Sequence, residues 1–387
     1  MLKVLHIADL HFRSQWLELM VECFPTIIDA AQLADVVVVT GDVYDGPMPL
    51  DSEPVRTCRR FFSELSEVAP VLVVRGTFTH DRNQLYHLTD INSPAIMVVD
   101  EPGVAVLKGQ DRRLVWCGEN YKYMMKAGAS SPLDNLVIGC LPEPPKVVET
   151  EHANGLIQAI CAGYRAAAPE DSPLVIAGHL GVSGSELSNQ SILGQYVARS
   201  VLEAADCPVF LGHIHKPQKI GKQIFYAGSP WPLNNGENHQ HGFYIHYLMA
   251  EGTMESTFVE CSQRKIVPIT IDLRTDAKIN LGDVLKSRAE EIKSNLVYLK
   301  LWPGPTDSSR LQAEAETILQ RIAPYDFKIE VLREDTVVVR SPEIATAKTL
   351  RQKIQVISPE APESVLEKAD ILEQESPEKL ERQVQEL

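Results

Sequence analysis

The amino-acid sequence predicts an α/β protein: a layered domain over residues 1–265, a small α+β module over 266–344 and a helical tail over 345–387. Three observations carry this. Short continuous Val/Ile/Leu runs alternate with helix-like stretches up to about residue 265, the runs end in Gly, Asp or His, and the pattern changes from about Ile266 onward. Continuous apolar runs bounded by turn residues are what strands buried on both faces look like.

In chain order the first strand is Met1 to Ile7, followed by runs at Val36 to Val39, Val71 to Val74, Leu136 to Ile138, Leu174 to Ala177 and Val209 to Leu211. The second module has candidate strands at Val267 to Leu273, Leu296 to Leu301, Lys328 to Leu332 and Thr336 to Val339, with helices at Leu281 to Ile292 and Ser309 to Ile322. That mixture reads as an independent α+β unit. The tail, Ala345 to Leu387, mixes Pro359, Pro362 and Pro377 with Glu, Lys and Gln. Its apolar residues, among them Val365, Leu366, Ala369, Ile371 and Leu372, are too few for a core of their own. Two readings stay open for it, a solvated tail or a short amphipathic helix that docks on a partner.

Composition narrows the class. With 44% hydrophobic and 23% charged residues the chain is an ordinary globular one, and no apolar run reaches the length of a membrane span. Seven cysteines lie singly, without a C-x-x-C pair, which argues for a reducing cytoplasm and against a zinc–thiolate site. A soluble, unprocessed, cytoplasmic protein is expected. There is no internal repeat and no G-x-x-x-x-G-K-[ST] phosphate loop. The formal net charge of −15 sits poorly with a nucleic-acid binder. Bound cations offset part of it, a partner supplies the basic surface, or the substrate is not DNA. The groups Arg56/Arg59/Arg60 and Arg112-Arg113 weaken that objection only slightly, because short charge groups are usually solvated faces.

The chemistry gathers at strand ends. The first strand leads to Asp9-Leu10-His11, the second to Thr40-Gly41-Asp42, the Leu174 run to Gly178-His179, and the Val209 run to Gly212-His213-Ile214-His215. A fifth, Val71 to Val74, leads into Arg75-Gly76-Thr77-Phe78-Thr79-His80-Asp81. Asp and His without thiolates suit manganese, iron or catalytic zinc. Alternate residues of an extended segment point the same way, so Asp9/His11 and His213/His215 are expected to form two clamps. Glycines before Asp42, His179 and His213 allow tight turns. One D-x-H alone says little; five such strand ends in one chain point to a metal centre.

The order D-x-H, G-D, a His-Asp turn, G-H and G-H-x-H resembles the calcineurin-like metallophosphoesterase superfamily. More narrowly, Tyr226-Ala227-Gly228-Ser229-Pro230-Trp231-Pro232-Leu233 followed by His241-Gly242-Phe243, with a cap-like module behind the first domain, resembles the SbcD-type exonuclease subunit of the double-strand-break-repair nucleases. The resemblance spans about residues 1–340 and implies a metallophosphoesterase β-sandwich flanked by helices, with residues 266–344 as a capping, DNA-recognition domain. It implies that Asp9, His11 and His215 hold one metal, that His179 and His213 hold a second, that Asp42 bridges them, and that His80 is the catalytic histidine near the scissile phosphate. The family turn G-N-H-D is altered: Thr77-Phe78-Thr79 separates Gly76 from His80, and Thr79 is assigned to the Asn position as a weak ligand.

Two cations about 3.5–4 Å apart would polarise a phosphodiester and activate water, with His80 orienting the phosphate or protonating the leaving oxygen. The implied function is a manganese-dependent DNA exonuclease or endonuclease in repair or recombination, forming a homodimer with an SbcC-like coiled-coil ATPase. Two other readings stand beside it: a phosphoesterase acting on nucleotides or cyclic nucleotides, favoured by the charge, and a scaffold weakened in catalysis that binds DNA ends or the partner. For His6 a core position is expected, for His239 and His241 loop solvation, and for Trp231 and Trp302 burial rather than base stacking. Asp45, Asp81 and His87 are read as supports or caps as readily as catalysts.

Overall fold

The computed structural model describes residues 1–91, 95–109, 111–118, 135–144, 150–169, 172–189, 191–194, 197–249, 253–261, 264–274, 279–303, 308–332, 349–359 and 361–374. The strands of the larger domain are β1 (Leu2–Ile7), β2 (Val36–Thr40), β3 (Val71–Val74), β4 (Ile96–Val99), β5 (Gly103–Lys108), β6 (Arg113–Gly118), β7 (Asn135–Leu141), β8 (Leu174–His179), β9 (Val209–Gly212), β10 (Gln218–Ile220), β11 (Ile224–Tyr226), β12 (Gly242–Leu248) and β13 (Met254–Glu260). They form two sheets, ordered β13-β12-β1-β2-β3-β4 and β10-β11-β9-β8-β7-β5-β6. In the first sheet β1 to β4 run parallel, and in the second β7, β8, β9 and β11 do.

The period of two in a strand explains why these runs are apolar throughout. Val4, Val36, Val38, Leu72 and Val74 turn inward to meet Ile138, Val175, Ala177 and Phe210 of the other sheet. Their neighbours Leu5, Ile7, Val37, Val39, Val71 and Val73 turn outward onto the helices α1 (Leu17–Gln32) and α2 (Glu53–Val68). On the far side, Leu174, Ile176, Val209 and Leu211 pack with Ile157, Cys161, Val201 and Leu202 of the helices Thr150–Ala167 and Arg199–Glu203. Each strand feeds two cores, giving a helix–sheet–sheet–helix stack.

A third, parallel sheet contains β14 (Ile266–Asp272), β15 (Leu296–Trp302) and β16 (Asp326–Val331). It has its own core of residues such as Ile269, Leu285, Leu299, Leu311 and Leu319. The helix expected over Leu281 to Ile292 breaks at Arg288, whose φ of −105° and ψ of 15° leave the helical region, into Leu281–Ser287 and Ala289–Ile292. The strand expected at Thr336 to Val339 lies outside the described residues. The unit leans on the larger domain: Ile266 and Leu296 join the cluster under α1, and Trp16 Nε1 donates to Asp326 Oδ2 at 2.6 Å.

In the tail, Leu350–Ile357 and Glu363–Gln374 are helices that pack on each other, with Leu366 and Ala369 buried and Arg351 paired with Glu363 and Asp370. All seven cysteines are free thiols, six of them buried. Among the described residues no helix is long and apolar enough to cross a membrane.

His6 is a core residue. Its Nε2 lies 3.0 Å from Thr40 Oγ1 and its Nδ1 3.4 Å from His246 Nε2, and both rings stack on Phe210 between the sheets. Burial lowers both pKa values, that of His6 to about 3. Because the folded values lie below the unfolded one, the unfolded chain takes up protons first, so stability is complete above about pH 6.5 and is lost as pH falls from there. From about pH 7 to about pH 5 the expected loss from His6 is about 2 kcal/mol, and His246 adds to it in the same direction. Thermal melts of the chelated protein across that range check it. A His246→Phe variant is expected to lose less on acidification than the parent, and an equal loss in both would clear His246 of the effect.

Candidate metal centre

The C-terminal ends of β1, β2, β3, β8 and β9 meet at one end of the sandwich, the place where parallel sheets collect functional groups. The turns that carry them are held by backbone. Asp9 N donates to Gly41 O at 3.1 Å, His11 N to Asp42 O at 2.9 Å, and His213 N to Asp9 Oδ1 at 2.9 Å. Gly41 has a φ of +85°, and a Cβ there would lie 2.5 Å from Gly76 Cα. A Cβ on Gly76 would lie 2.2 Å from Asp42 N, so only glycines let the second and third turns touch.

Asp9, His11, Asp42 and His213 have left-handed backbone, with φ of 51°, 43°, 49° and 94°. This corrects the expectation of clamps on extended segments: β1 ends at Ile7, and its two ligand-type side chains converge because both residues leave the extended region. Such strain persists where neighbouring structure holds it, and it gathers at functional sites. Much of that hold comes from Asp81. Its buried carboxylate accepts from Asp42 N (3.1 Å), Val43 N (2.8 Å), Tyr44 N (3.3 Å) and Gly76 N (2.8 Å), tying the two turns together.

Donor atoms gather in overlapping groups within 4.8 Å: Asp9 with His11 and His215, Asp9 with Asp42 and His179, and His11 with Asp42 and His80. His213 stands beside these groups, its ring edge-on to His179 at 5.3 Å between centroids. Asp42 is shared, with Oδ2 3.6 Å from His11 Nε2 and 3.4 Å from His179 Nε2.

His179, His80 and His215 face the centre through Nε2. His179 Nδ1 is 2.8 Å from Thr40 O, His80 Nδ1 is 2.7 Å from Asp45 O, and His215 Nδ1 is 2.9 Å from Glu237 Oε1. These partners only accept, so Nδ1 carries the hydrogen and the Nε2 lone pair is left for the centre. His11 Nδ1 lies 3.3 Å from Asp45 Oδ1.

Electrostatics call for positive charge. Burial alone would lower the pKa of His179, yet the adjacent Asp42 pushes it up to about 10. Burial would raise Asp42, yet His179 and His11 hold it well below the usual carboxylate range. Asp9 is raised by burial. Asp9 Oδ2 and His11 Nε2 are buried without a hydrogen-bond partner, and each belongs to a residue of a donor group. Buried lone pairs left open among carboxylates and imidazoles fit divalent cations, which would take the place of the proton that Asp42 holds on His179.

The weak-ligand assignment of Thr79 is corrected. Thr79 is exposed on the four-residue helix Phe78–Asp81, while Thr77 is buried against the centre. Thr77 N donates to Asp42 Oδ1 at 2.6 Å, and its Oγ1 lies 3.3 Å from both Asp42 Oδ2 and His179 Nε2. Counting back from His80 misplaced the position; the two added residues enter after the turn, so counting forward from Gly76 finds it. A Thr77→Asn change is expected to place an amide oxygen there and tighten the weaker of two cations by about tenfold, about 1.4 kcal/mol. Thr79→Asn should change nothing. Calorimetric manganese titrations of both variants check this; a gain from Thr79→Asn and none from Thr77→Asn would restore the first assignment.

Trp231 is fully buried, as expected, and donates Nε1 to Leu10 O at 2.8 Å, between Asp9 and His11. Trp302 is half-buried under the Arg274 guanidinium, 3.8 Å from its ring. Asp45 supports His11 and His80, and His87 pairs with Asp90 at 3.5 Å. His241 departs from the solvated-loop expectation: it is buried, with Nδ1 3.2 Å from Ser229 Oγ. Besides Thr77, sequence reasoning did not single out Glu237, which stands against His215. A single Glu in a polar loop has no spacing that marks it.

A cleft of about 330 Å³ opens beside the centre, lined in part by His213, His215, Asn234 and Glu237. No curated protein matches the chain. Residues 2–217 match the calcineurin-like phosphoesterase family, a fold that binds two divalent metals. The match takes in more than half of the 387 residues and every donor from Asp9 to His215, and on that ground the chain belongs to the calcineurin-like phosphoesterase family.

Proposed function

We propose that this metal-dependent phosphoester hydrolase is a nuclease that cuts DNA phosphodiester bonds, with manganese as the working metal, and that it serves as the nuclease subunit of an SbcCD-like end-processing complex in the cytoplasm. Asp9, His11 and His215 would hold one cation, His179 and His213 the other, with Asp42 between them and Thr77 at the edge of the second. When bound, such a pair supplies Lewis acidity to a phosphoryl oxygen and lowers the pKa of water. The chain's own part is to hold the imidazoles of His11, His179 and His215 with Nε2 inward, keep Asp42 ionised, and present His80 at the mouth. His80 orients the phosphate or gives a proton to the leaving oxygen.

The observation that carries the nuclease reading is the segment Tyr226 to Leu233, which with His241-Gly242-Phe243 resembles SbcD-type subunits. It lies against the turn that follows β1, with Trp231 bonded to Leu10 O between Asp9 and His11, so the distinguishing segment supports the centre. The unit at 266–344 is proposed as a cap that contacts DNA: Trp16, which bonds Asp326, stands against Arg13, and Arg13 pairs with Asp45 at 3.7 Å. The tail helices are proposed as the docking element for the coiled-coil ATPase, in a complex built on a homodimer. The net charge of −15 is the observation that favours the second reading, a nucleotide or cyclic-nucleotide phosphoesterase. In the nuclease reading the cations and the ATPase partner offset it.

The test is the pure chain with manganese, with and without the ATPase, on end-labelled linear duplex beside 2′,3′-cyclic nucleotides, mononucleotides and bis-p-nitrophenyl phosphate. Metal-dependent shortening of the duplex is expected. Turnover confined to the small phosphoesters would move the assignment to the second reading, and no turnover of any ester by metal-loaded protein would move it to a binding scaffold.

A further inference from the structure

We infer that Glu237 is a positioning residue: it fixes His215 in the tautomer whose Nε2 faces Asp9 and His11, so that the loop from Ser229 to His241, outside the family match, completes the first cation site. The inference rests on the reading of His215 as a ligand. The geometry is specific. Glu237 is 1% exposed, and its Oε1 lies 2.9 Å from His215 Nδ1. The carboxylate is itself held, accepting from Leu233 N at 2.7 Å and from Asn234 Nδ2 at 2.9 Å. Such an acceptor leaves one neutral tautomer open to His215, with the hydrogen on Nδ1 and the lone pair on Nε2.

His215 has more need of this than His179. Its side chain is 28% exposed at the cleft, whereas His179, fully buried, is fixed by a backbone carbonyl, Thr40 O. Water at an open imidazole leaves both tautomers populated; a buried carboxylate removes that freedom and makes Nε2 a stronger donor. The same loop reaches the other side of the site. Trp231 Nε1 holds Leu10 O, and Arg13 donates to Leu233 O. One loop therefore sets both His215 and the turn that carries Asp9 and His11.

Glu237, His239 and His241 also bring donor atoms within 4.8 Å of one another, the arrangement of a cation site in its own right. The Glu237 oxygens already accept three donors, which favours support of His215 over a third cation.

The test uses the full chain, metal-free, labelled with ¹⁵N at histidine, and then titrated with manganese. In the parent the His215 Nδ1 is expected to carry the proton. Glu237→Ala should give a mixture of tautomers and weaken the tighter manganese site by about 10- to 100-fold. Glu237→Gln keeps an acceptor oxygen without the charge, so it should keep the tautomer and lose less affinity. A parent protein whose neutral His215 carries its proton on Nε2 and not on Nδ1, or a folded Glu237→Ala protein with parental tautomer and affinity, overturns the inference. So does a parent that binds three cations per chain and a Glu237→Ala protein that binds two, which would make the cluster a cation site. None of these readouts involves DNA, so a failed nuclease assay leaves the result standing.

Discussion

Asp42→Asn is expected to lower phosphodiester hydrolysis by about a thousandfold or more, because one carboxylate serves both halves of the centre. Asp42 Oδ2 is 3.6 Å from His11 Nε2 and 3.4 Å from His179 Nε2, while Oδ1 is fixed by Thr77 N at 2.6 Å. Burial disfavours its charge, and the imidazoles on both sides restore it. The amide has the same shape, lacks the charge, and would turn N–H groups toward positions that need lone pairs. The fold should survive, since the turn is tied through the Asp42, Val43 and Tyr44 amides to Asp81, which the substitution leaves in place. Melting of the metal-free protein should change little, and manganese content should fall at both positions. Parental hydrolysis of bis-p-nitrophenyl phosphate by a variant that holds no metal would end the two-metal account.

The sheets and the gathering of Asp and His at the strand ends were legible in the sequence for one physical reason. A strand buried on both faces must be apolar along its whole length, and where it ends the residue type changes abruptly, so Val36 to Val39 before Thr40-Gly41-Asp42 marks both a strand and a turn. What was not legible depends on backbone conformation and on contacts far apart in sequence. The left-handed φ of Asp9 and His11 leaves no mark on residue type, since Asp and His also occur in extended loops. Glu237 meets His215 across 22 residues, and Trp231 meets Leu10 across 221. Neither pairing has a period, so no pattern announces it. The Thr79 assignment failed for a related reason: an insertion can be placed on either side of a turn by counting, and only the position of Thr77 beside Asp42 and His179 decides it. Within the small sheet, the break at Arg288 is invisible because the residues around it keep a helical apolar pattern.

His80→Ala is expected to separate two kinds of substrate. The ring stands edge-on to His11 with 4.8 Å between centroids, and its Nδ1 is fixed on Asp45 O at 2.7 Å, so Nε2 is the atom that can meet a leaving oxygen. A positioned general acid contributes about 10²- to 10⁴-fold when the leaving group is a poor one, and a DNA alkoxide is poor. p-Nitrophenolate leaves without a proton. Loss on linear duplex should therefore reach about 10²-fold or more, while loss on bis-p-nitrophenyl phosphate should stay within about tenfold. His80 also stands in a donor group with His11 and Asp42, so metal content must be measured alongside. Equal losses on both substrates with both cations retained would assign His80 to phosphate orientation alone, and a lost cation would assign it to the metal shell. A large loss on the duplex with a small loss on the aryl ester, both metals in place, is the signature of a proton delivered from Nε2.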